Sequence, residues 1–218
     1  DFTSFSFHAV KNLTTAEGGA LAWRTIDGVD NDELYHELQL YSLHGQSKDA
    51  LSKNKAGAWE YDVVYPAYKC NMTNINAAIG IAQLERYEGL LERRRVLNER
   101  YEAALEKLGI KVMHHYTDEM TSTGHLYLVR IPGASVDDRN AVIQEMAERE
   151  IACNVHYKPL PMMTAYKNLG FDIADYPNAY HQYEKLISLP IFSTMTDEQN
   201  EYVIENFIDI LKKRGLIK

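Results

Sequence analysis

The longest regular pattern in this 218-residue chain is helical and runs from Thr73 to Leu108. Apolar residues such as Ile75 and Ile79 recur on one stripe, which is the period of an amphipathic helix. Thr73 is a residue type that caps helix N-termini, and Gly109 is a type that ends helices. The pattern predicts a helical segment that any fold of this chain must accommodate.

This segment also predicts where the chain passes from one domain to the next. One continuous helix of this length would extend about 50 Å at 1.5 Å per residue, which is enough to connect two lobes. Gly89 lies inside the segment and predicts a kink or a division. We therefore expect two parts, residues 1–88 and residues 89–218.

Strands and helices alternate on both sides of the long helical segment. Polar and apolar residues alternate from Phe2 to His8, a pattern typical of a half-buried strand. A second strand is predicted at Gly18–Arg24 and a helix at Asp32–Leu43, before an irregular stretch at His44–Lys69. This order predicts an α/β fold. The later predicted elements are a strand at Gly124–Ile131, a helix at Val136–Glu150, a short strand at Ala152–Tyr157, and helices at Tyr176–Leu186 and Thr196–Lys213.

Charge and composition narrow the classes of partner. The chain has 23 Lys and Arg residues against 31 Asp and Glu, a net charge of −8, which argues against nucleic acid or an anionic membrane as the main partner. Cys70 and Cys153 are too few for a disulfide framework and lack the spacing of a zinc site. With no apolar run long enough to span a bilayer, we expect a cytoplasmic protein.

Lys11 is the residue whose context points most clearly to chemistry. A lysine is usually a solvated surface cation, but Lys11 directly follows the first predicted strand and lies shortly before the Gly18–Gly19 turn. Ligand sites of α/β proteins form at such strand ends. A partly desolvated lysine has a lowered pKa, and its neutral amine can attack an aldehyde to form a Schiff base, as pyridoxal phosphate chemistry requires.

The string SFSFHAVKNLTTAEGGAL around this lysine closely resembles the lysine segment of the DegT/DnrJ/EryC1/StrS family of sugar aminotransferases. The resemblance implies pyridoxal 5'-phosphate as cofactor, with Lys11 as the Schiff-base lysine and catalytic residue. It also implies that Ser6, five positions earlier, contacts the cofactor phosphate. His8 and Glu17 match further family positions.

A second string, YPAYKCNMTNINAAIGIAQLER, resembles the family segment that reaches the cofactor phosphate of the neighbouring subunit. The resemblance implies Asn71 as the phosphate contact, with Lys69 as the second choice. A glycine is usual in the family where Ala67 stands, and an aromatic residue where Cys70 stands. An amide or ammonium just before a helix N-terminus suits a phosphate dianion. The alternative is that Lys69 and Asn71 only cap the helix.

Shorter matches continue in the same order to the end of the chain. The string VHYKPLP places His156 and Tyr157 near the substrate mouth by this resemblance, although a structural role for either residue stays open. The other matching strings are SLHG, HLYLVRIP and SLPIF.

Two rival chemistries are disfavoured by local geometry. Tyr65 and Lys69 have the Tyr-x-x-x-Lys spacing of short-chain dehydrogenases, but Pro66 lies between them and the chain has no Gly-x-Gly-x-x-Gly loop. His114 and His115 are adjacent, so their side chains should point in different directions and not share a metal ion. We therefore assign no metal site.

The resemblance implies a fold-type-I transferase, in which residues 1–88 are the C-terminal portion of the large cofactor domain and the start of the connecting helix. Residues 89–218 would form the small α/β domain. The implied reaction moves an amino group, from glutamate, to a nucleotide-linked keto sugar in surface polysaccharide or amino-sugar biosynthesis. The implied assembly is a homodimer with shared active sites.

Only ten residues precede Lys11, whereas the family places several cofactor contacts before its lysine. These include the carboxylate that pairs with the pyridine nitrogen and an aromatic residue that stacks on the ring. We therefore expect that the 218 residues alone are not a competent transaminase. The alternative function is a regulatory or non-catalytic relative that binds pyridoxal phosphate or a partner without turnover. A sugar dehydratase is disfavoured because such relatives have histidine in place of the lysine.

Overall fold

The structure is a computed structural model that describes residues 2–47 and 61–218. It divides into two compact units, which we call the first unit, residues 1–86, and the second unit, residues 87–218. The structure thus divides after residue 86, two residues before the boundary expected from the sequence. Part of the predicted irregular stretch, residues 48–60, lies outside the described residues.

In its described residues, the first unit contains a β-hairpin and two helices. Strands β1 (Phe2–Ser6) and β2 (Gly19–Trp23) pair antiparallel, with Ser6 opposite Gly19. Helix α1 (Asn31–Ser42) begins at Asp30, whose carboxylate accepts hydrogen bonds from the amides of Asp32 and Glu33. These elements match the predicted ones to within two residues at each end.

The long helical segment is two helices and not one. Helix α2 (Asn74–Leu84) ends in a tightened turn in which the Arg86 amide donates to the carbonyl of Gln83, and helix α3 (Tyr87–Leu105) follows. The expected division at Gly89 is wrong, because Gly89 lies inside α3. A short 3₁₀ turn, Glu106–Leu108, completes the segment, and Gly109 ends it with a left-handed φ of 78°, as predicted.

The second unit is built on a three-stranded antiparallel sheet in the order β3 (Lys111–Val112), β4 (Tyr127–Arg130), β5 (Leu186–Leu189). Strand β5 corrects the prediction of a helix up to Leu186. All four of its residues are buried, so the run lacks the polar alternation by which a half-exposed strand is recognised.

Two other predicted strands of the second unit are shorter than expected. The strand predicted at Ala152–Tyr157 is reduced to one bridge, between Asn154 and Ser188. The strand predicted from Gly124 begins only at Tyr127, and Gly124 has a positive φ of 59°, which ordinary strand residues do not adopt.

Helices cover this sheet and close the core of the second unit. Helix α4 (Val136–Glu148) and helix α7 (Asp197–Lys213) each begin with a capping box, formed by Ser135 and by Thr196 respectively. Helices α5 (Thr164–Asn168) and α6 (Pro177–Tyr183) are short. The fully buried apolar side chains include Leu97, Tyr101, Leu105, Tyr127, Val129, Met146, Ile187, Phe207 and Ile210.

The first unit leaves much more of its apolar surface exposed. Ile75 and Ile81 of α2 are 76% and 62% exposed, and Phe2 and Phe5 of β1 are about half exposed. Among the described residues, no helix combines the length and apolar character that crossing a membrane requires.

Candidate cofactor site

Strand β1 leads directly into a hydrogen-bonded turn that carries Lys11. The hydroxyl oxygen of Ser6 accepts from the His8 amide at 3.4 Å. The carbonyl of His8 in turn accepts from the Lys11 amide at 2.9 Å. These two bonds connect the backbone of Lys11 to the Ser6 side chain through one residue, and the Lys11 side chain is half-buried.

The chain then folds back onto the end of β1, forming what we call the lysine loop, residues 7–18. The Phe7 amide donates to the carbonyl of Gly18 at 2.8 Å, and the Phe7 carbonyl accepts from the Thr15 amide at 2.9 Å. The Thr15 hydroxyl donates to the Glu17 carbonyl at 2.9 Å. Thr15 is only 2% exposed, so the lysine loop has a fixed, buried anchor four residues after Lys11.

Lys69 and Asn71 lie just before α2. The Thr73 side chain caps this helix by accepting from the Asn76 amide at 3.2 Å, so the alternative in which Lys69 or Asn71 provides the cap is not what the structure shows. Lys69 forms a β-bridge with Leu43, and both Lys69 and Asn71 are exposed. Their side chains are therefore accessible at a helix N-terminus, where anions bind favourably.

A cavity of about 790 Å³ lies within the first unit, a size that suits a small-molecule ligand. Asn71 is one of its lining residues, whereas Ser6, Lys11 and Lys69 are not among the described residues that line it. The structure thus brings Asn71 to the cavity and places Ser6 with Lys11 at the end of β1. The other lining residues include Phe5, Glu17, Leu21, Leu38, Tyr41 and Cys70.

The donor chemistry of these residues fits pyridoxal phosphate. Lys11, a half-buried residue, carries the primary amine that can form a Schiff base with the aldehyde of that cofactor. The Ser6 hydroxyl and the amide of Asn71, which lies just before the capped N-terminus of α2, are the kinds of donor that a phosphate group accepts from.

His156 and Tyr157 belong to the second unit. The His156 ring nitrogen Nδ1 lies 2.7 Å from the Ser188 hydroxyl of β5. The Tyr157 ring stands edge-on to the His156 ring at a centroid distance of 4.6 Å, and Tyr157 is 69% exposed. His156 is thus held by the sheet, while Tyr157 presents an aromatic face to solvent.

The two adjacent histidines point into different surroundings, as expected. His114 pairs with the carboxylates of Glu102 and Glu106, at 2.8 Å and 3.6 Å, through its two ring nitrogens. His115 is buried and contacts the Ser122 hydroxyl, and burial lowers its pKa. The possible ligand atoms of His114, Glu102 and Glu106 lie within 4.8 Å of one another, a grouping that sequence reasoning missed.

Sequence reasoning also missed two residues, Thr15 of the lysine loop and Asn76 of α2. Asn76 donates from Nδ2 to the Glu17 carbonyl at 2.8 Å, and Thr15 lies against Gly80 of α2. A signal for Asn76 was available, because it lies three residues after the cap Thr73, where polar side chains take part in capping. The contact between Thr15 and Gly80 leaves no such local pattern.

Comparison with known proteins agrees with this geometry. The sequence profile of the DegT/DnrJ/EryC1/StrS aminotransferase family matches residues 1–208. The chain belongs to this family. The family membership predicted from the lysine segment is therefore confirmed.

Among curated family relatives, the chain is 35% identical over 216 residues to the spore coat polysaccharide biosynthesis protein SpsC of Bacillus subtilis. That match covers 97% of this chain and 54% of SpsC. The protein MJ1066 of Methanocaldococcus jannaschii is 37% identical over 202 residues, covering 91% of this chain and 50% of MJ1066. The chain therefore spans about half the length of these relatives.

Solved structures give the same result for the fold. "Putative sugar aminotransferase Spr1654 from Streptococcus pneumoniae, PMP-form" is 52% identical, with a TM-score of 0.93, covering 98% of this chain and 53% of that chain. The PLP-form of the same protein has a TM-score of 0.91 at 50% identity, covering 98% and 52%. The prediction of an α/β chain with the fold of type I transferases is confirmed.

Proposed function

We propose that the intact protein is a pyridoxal-phosphate-dependent aminotransferase that moves an amino group from glutamate to a nucleotide-linked keto sugar. Family membership and the likeness to sugar aminotransferase structures support this reaction class. The relative SpsC, whose name assigns it to spore coat polysaccharide biosynthesis, supports a role in making surface polysaccharide or amino sugars. We place the reaction in the cytoplasm and assign it to a homodimer whose active sites are shared between subunits.

The single observation that carries this proposal is the position of Lys11. Its half-buried side chain follows the strand that ends at Ser6, and the lysine loop fixes its backbone from both sides. A lysine held in this way can keep its amine directed at one reacting carbon, with little loss of entropy on binding.

Lys11 has two roles in the proposed reaction. It would hold the cofactor covalently between turnovers, and after release by the amino donor its amine would act as the base and acid that moves the proton during transfer of the amino group. Ser6 would donate a hydrogen bond to the phosphate of the cofactor held by its own subunit. Asn71, or Lys69 as the second choice, would bind the phosphate of the cofactor held by the neighbouring subunit. When bound, pyridoxal phosphate supplies the electron sink for this chemistry.

His156 and Tyr157 are proposed to contact the sugar substrate. The exposed Tyr157 ring offers an apolar face with a hydroxyl at its tip, which suits the mixed surface of a sugar. The hydrogen bond between His156 and Ser188 fixes the orientation of the histidine ring beside it.

The test is a spectroscopic half-reaction in the intact protein. Added glutamate should remove the visible absorbance of bound pyridoxal phosphate, and Lys11→Ala should abolish this change. Lys111→Ala, at an exposed lysine of β3, is the matched control and should behave as the unsubstituted protein. Bound cofactor that does not respond to any amino donor would instead favour the regulatory alternative.

A further inference from the structure

The lysine loop and the first turn of α2 are joined by hydrogen bonds that converge on one backbone oxygen. The Glu17 carbonyl accepts from the Thr15 hydroxyl at 2.9 Å and from Asn76 Nδ2 at 2.8 Å. Thr15 belongs to the lysine loop and Asn76 to α2, 59 positions from Glu17. This carbonyl therefore links the segment that carries Lys11 to the helix that follows Asn71. We call the group formed by Glu17, Thr15 and Asn76 the joint.

The orientation of the Asn76 amide is determined by its second partner. Asn76 Oδ1 accepts from the Thr73 hydroxyl at 2.7 Å, and the Asn76 backbone amide donates back to that hydroxyl. With Oδ1 occupied as an acceptor, the amide nitrogen Nδ2 must face Glu17. One side chain thus completes the helix cap and holds the lysine loop.

Close packing between Thr15 and Gly80 is a second contact between the lysine loop and α2. Thr15 is buried against α2 at Gly80, where an added Cβ would lie 2.9 Å from the Thr15 methyl carbon Cγ2. Side chains do not approach this closely, so glycine is required here for the loop to sit against the helix. The methyl group of Thr15 makes this contact, while its hydroxyl bonds to Glu17.

We propose that Asn76 is a positioning residue that, together with the contact between Thr15 and Gly80, holds the lysine loop against α2 and so sets the position of Lys11. This inference rests on the proposed function of Lys11. Neither Asn76 nor Thr15 need touch the cofactor. They act by preventing the lysine loop from shifting relative to α2.

The deciding substitution is Asn76→Asp, which changes one atom. It retains the oxygen that accepts from Thr73, but it replaces the donor that faces Glu17 by a second oxygen, which repels the carbonyl. Asn74→Asp is the matched control, because it adds the same charge to the same exposed first turn of α2. Any effect of charge alone on a nearby phosphate is then common to both variants.

The first readout is hydrogen exchange in the apoprotein, which does not depend on activity. Asn76→Asp should make amide exchange in the peptide covering residues 7–18 at least about threefold faster than in Asn74→Asp. The second readout is the pH titration of the visible band of bound pyridoxal phosphate. Its midpoint should move by about half a pH unit or more in Asn76→Asp relative to the control.

A second pair of variants tests the same joint if Asn76→Asp does not fold. Gly80→Ala should reproduce both changes, because its methyl group collides with Thr15. Gly80→Ala combined with Thr15→Ser should reverse them, since serine lacks the colliding methyl but retains the hydroxyl that bonds to Glu17. Failure of this rescue would contradict the assigned contact.

The outcomes separate this inference from the proposed function. If the unsubstituted intact protein binds no pyridoxal phosphate at Lys11, the proposed function fails. If it binds the cofactor but Asn76→Asp matches Asn74→Asp in both readouts, only the positioning role is overturned. Faster exchange with an unchanged titration would also overturn it, because the joint would then stabilise the loop without positioning Lys11.

Discussion

Cys70 and Cys153 show how differently single residues are placed in the two units. Cys70 is exposed in the segment before α2, and Cys153 is partly buried against the core of the second unit. Burial raises the pKa of the Cys153 thiol to about 12, because the charged thiolate loses its solvation there. Both are free thiols, but they should differ strongly in reactivity.

We predict that iodoacetamide at pH 8 modifies Cys70 and leaves Cys153 unmodified while the protein is folded. At that pH only about one in ten thousand Cys153 side chains would be the reactive thiolate. Peptide mass spectrometry after timed labelling measures both sites, and labelling in urea is the control in which both should react. Equal labelling rates in the folded protein would show that Cys153 is not packed as described.

At the scale of single residues, sequence reasoning reaches only what is local. The lysine segment was recognised because a strand, a serine and a lysine follow one another within a few positions, and the roles assigned to Lys11 and Ser6 stay predictions. Asn76 and Thr15 were not singled out, because the hydrogen bond that joins Asn76 to Glu17 spans 59 positions of the sequence. A local pattern can indicate a candidate reactive side chain, but not the distant side chains that pack against its segment.

In the second unit, helix α3 carries a buried arginine, Arg94, whose guanidinium donates hydrogen bonds to the backbone of two loops. Arg94 is 6% exposed, and its Nη1 donates to the carbonyls of Gly124 and His125 at 3.3 and 3.1 Å, with Ile191 at 3.5 Å. Burial lowers the pKa of its guanidinium. These carbonyls lie outside the strands of the sheet. The Arg94 guanidinium supplies them with the hydrogen-bond donor that a neighbouring strand would otherwise provide.

We expect Arg94→Met to lower the free energy of unfolding by about 2–4 kcal/mol, because it leaves buried carbonyl groups without a donor. Urea denaturation followed by circular dichroism measures this loss. The matched control is Arg95→Met, at the neighbouring exposed arginine that pairs with Glu99 one helical turn away. The control should leave the unfolding midpoint nearly unchanged, and equal losses in both variants would contradict the account of Arg94.

Helix α7 is joined to α3 by an ion pair that responds to pH. Arg93 contacts Asp197 at 2.7 Å, and the hydrogen bond from Arg93 is the main cause of a lowered Asp197 pKa. A carboxyl with a lowered pKa in the folded state stabilises that state above its unfolded pKa, here near 3.8. The contribution is lost as the pH falls through the lower folded value.

Asp197→Asn should therefore be less stable than the unsubstituted protein at pH 7, and the difference should shrink towards pH 2. Urea midpoints of both proteins across this range provide the measurement. Asp197 is about half exposed, so the effect should be small and should weaken at high salt. A difference that stays constant from pH 7 to pH 2 would exclude the ion pair as its cause.

Predictions of elements from sequence were accurate where capping residues and periodicity agree. Thr73, Thr196 and Gly109 mark helix ends in the structure as they did in the sequence. Strand β5 was not predicted, and its first residue, Leu186, was taken as the end of a helix, because a fully buried strand of four residues has no alternation. The division of the long helical segment was placed at Gly89, since the tightened turn at Arg86 involves no helix-breaking residue.

At the scale of the whole molecule, the two units differ in how well each buries its apolar side chains. The second unit encloses a continuous core around its sheet, whereas β1 and α2 of the first unit expose large apolar residues. Local stability follows buried apolar contact, so the two units should open at different rates.

Hydrogen exchange of the 218-residue chain should show the slowest amides in α3, β4 and α7. Amides of β1, β2 and α2 should exchange faster, because little apolar surface is buried around them. Exchange followed by mass spectrometry resolves these segments. Uniform protection across both units would mean that the first unit buries more surface than the structure indicates.

The central claim is that Lys11 forms the covalent link to pyridoxal phosphate. The most direct measurement is borohydride reduction of the intact protein loaded with the cofactor, followed by peptide mapping of the reduced adduct. The account predicts the adduct on Lys11, within the peptide that contains Ser6 and the lysine loop. An adduct on Lys69 or on any other lysine, or no adduct at all, would contradict it.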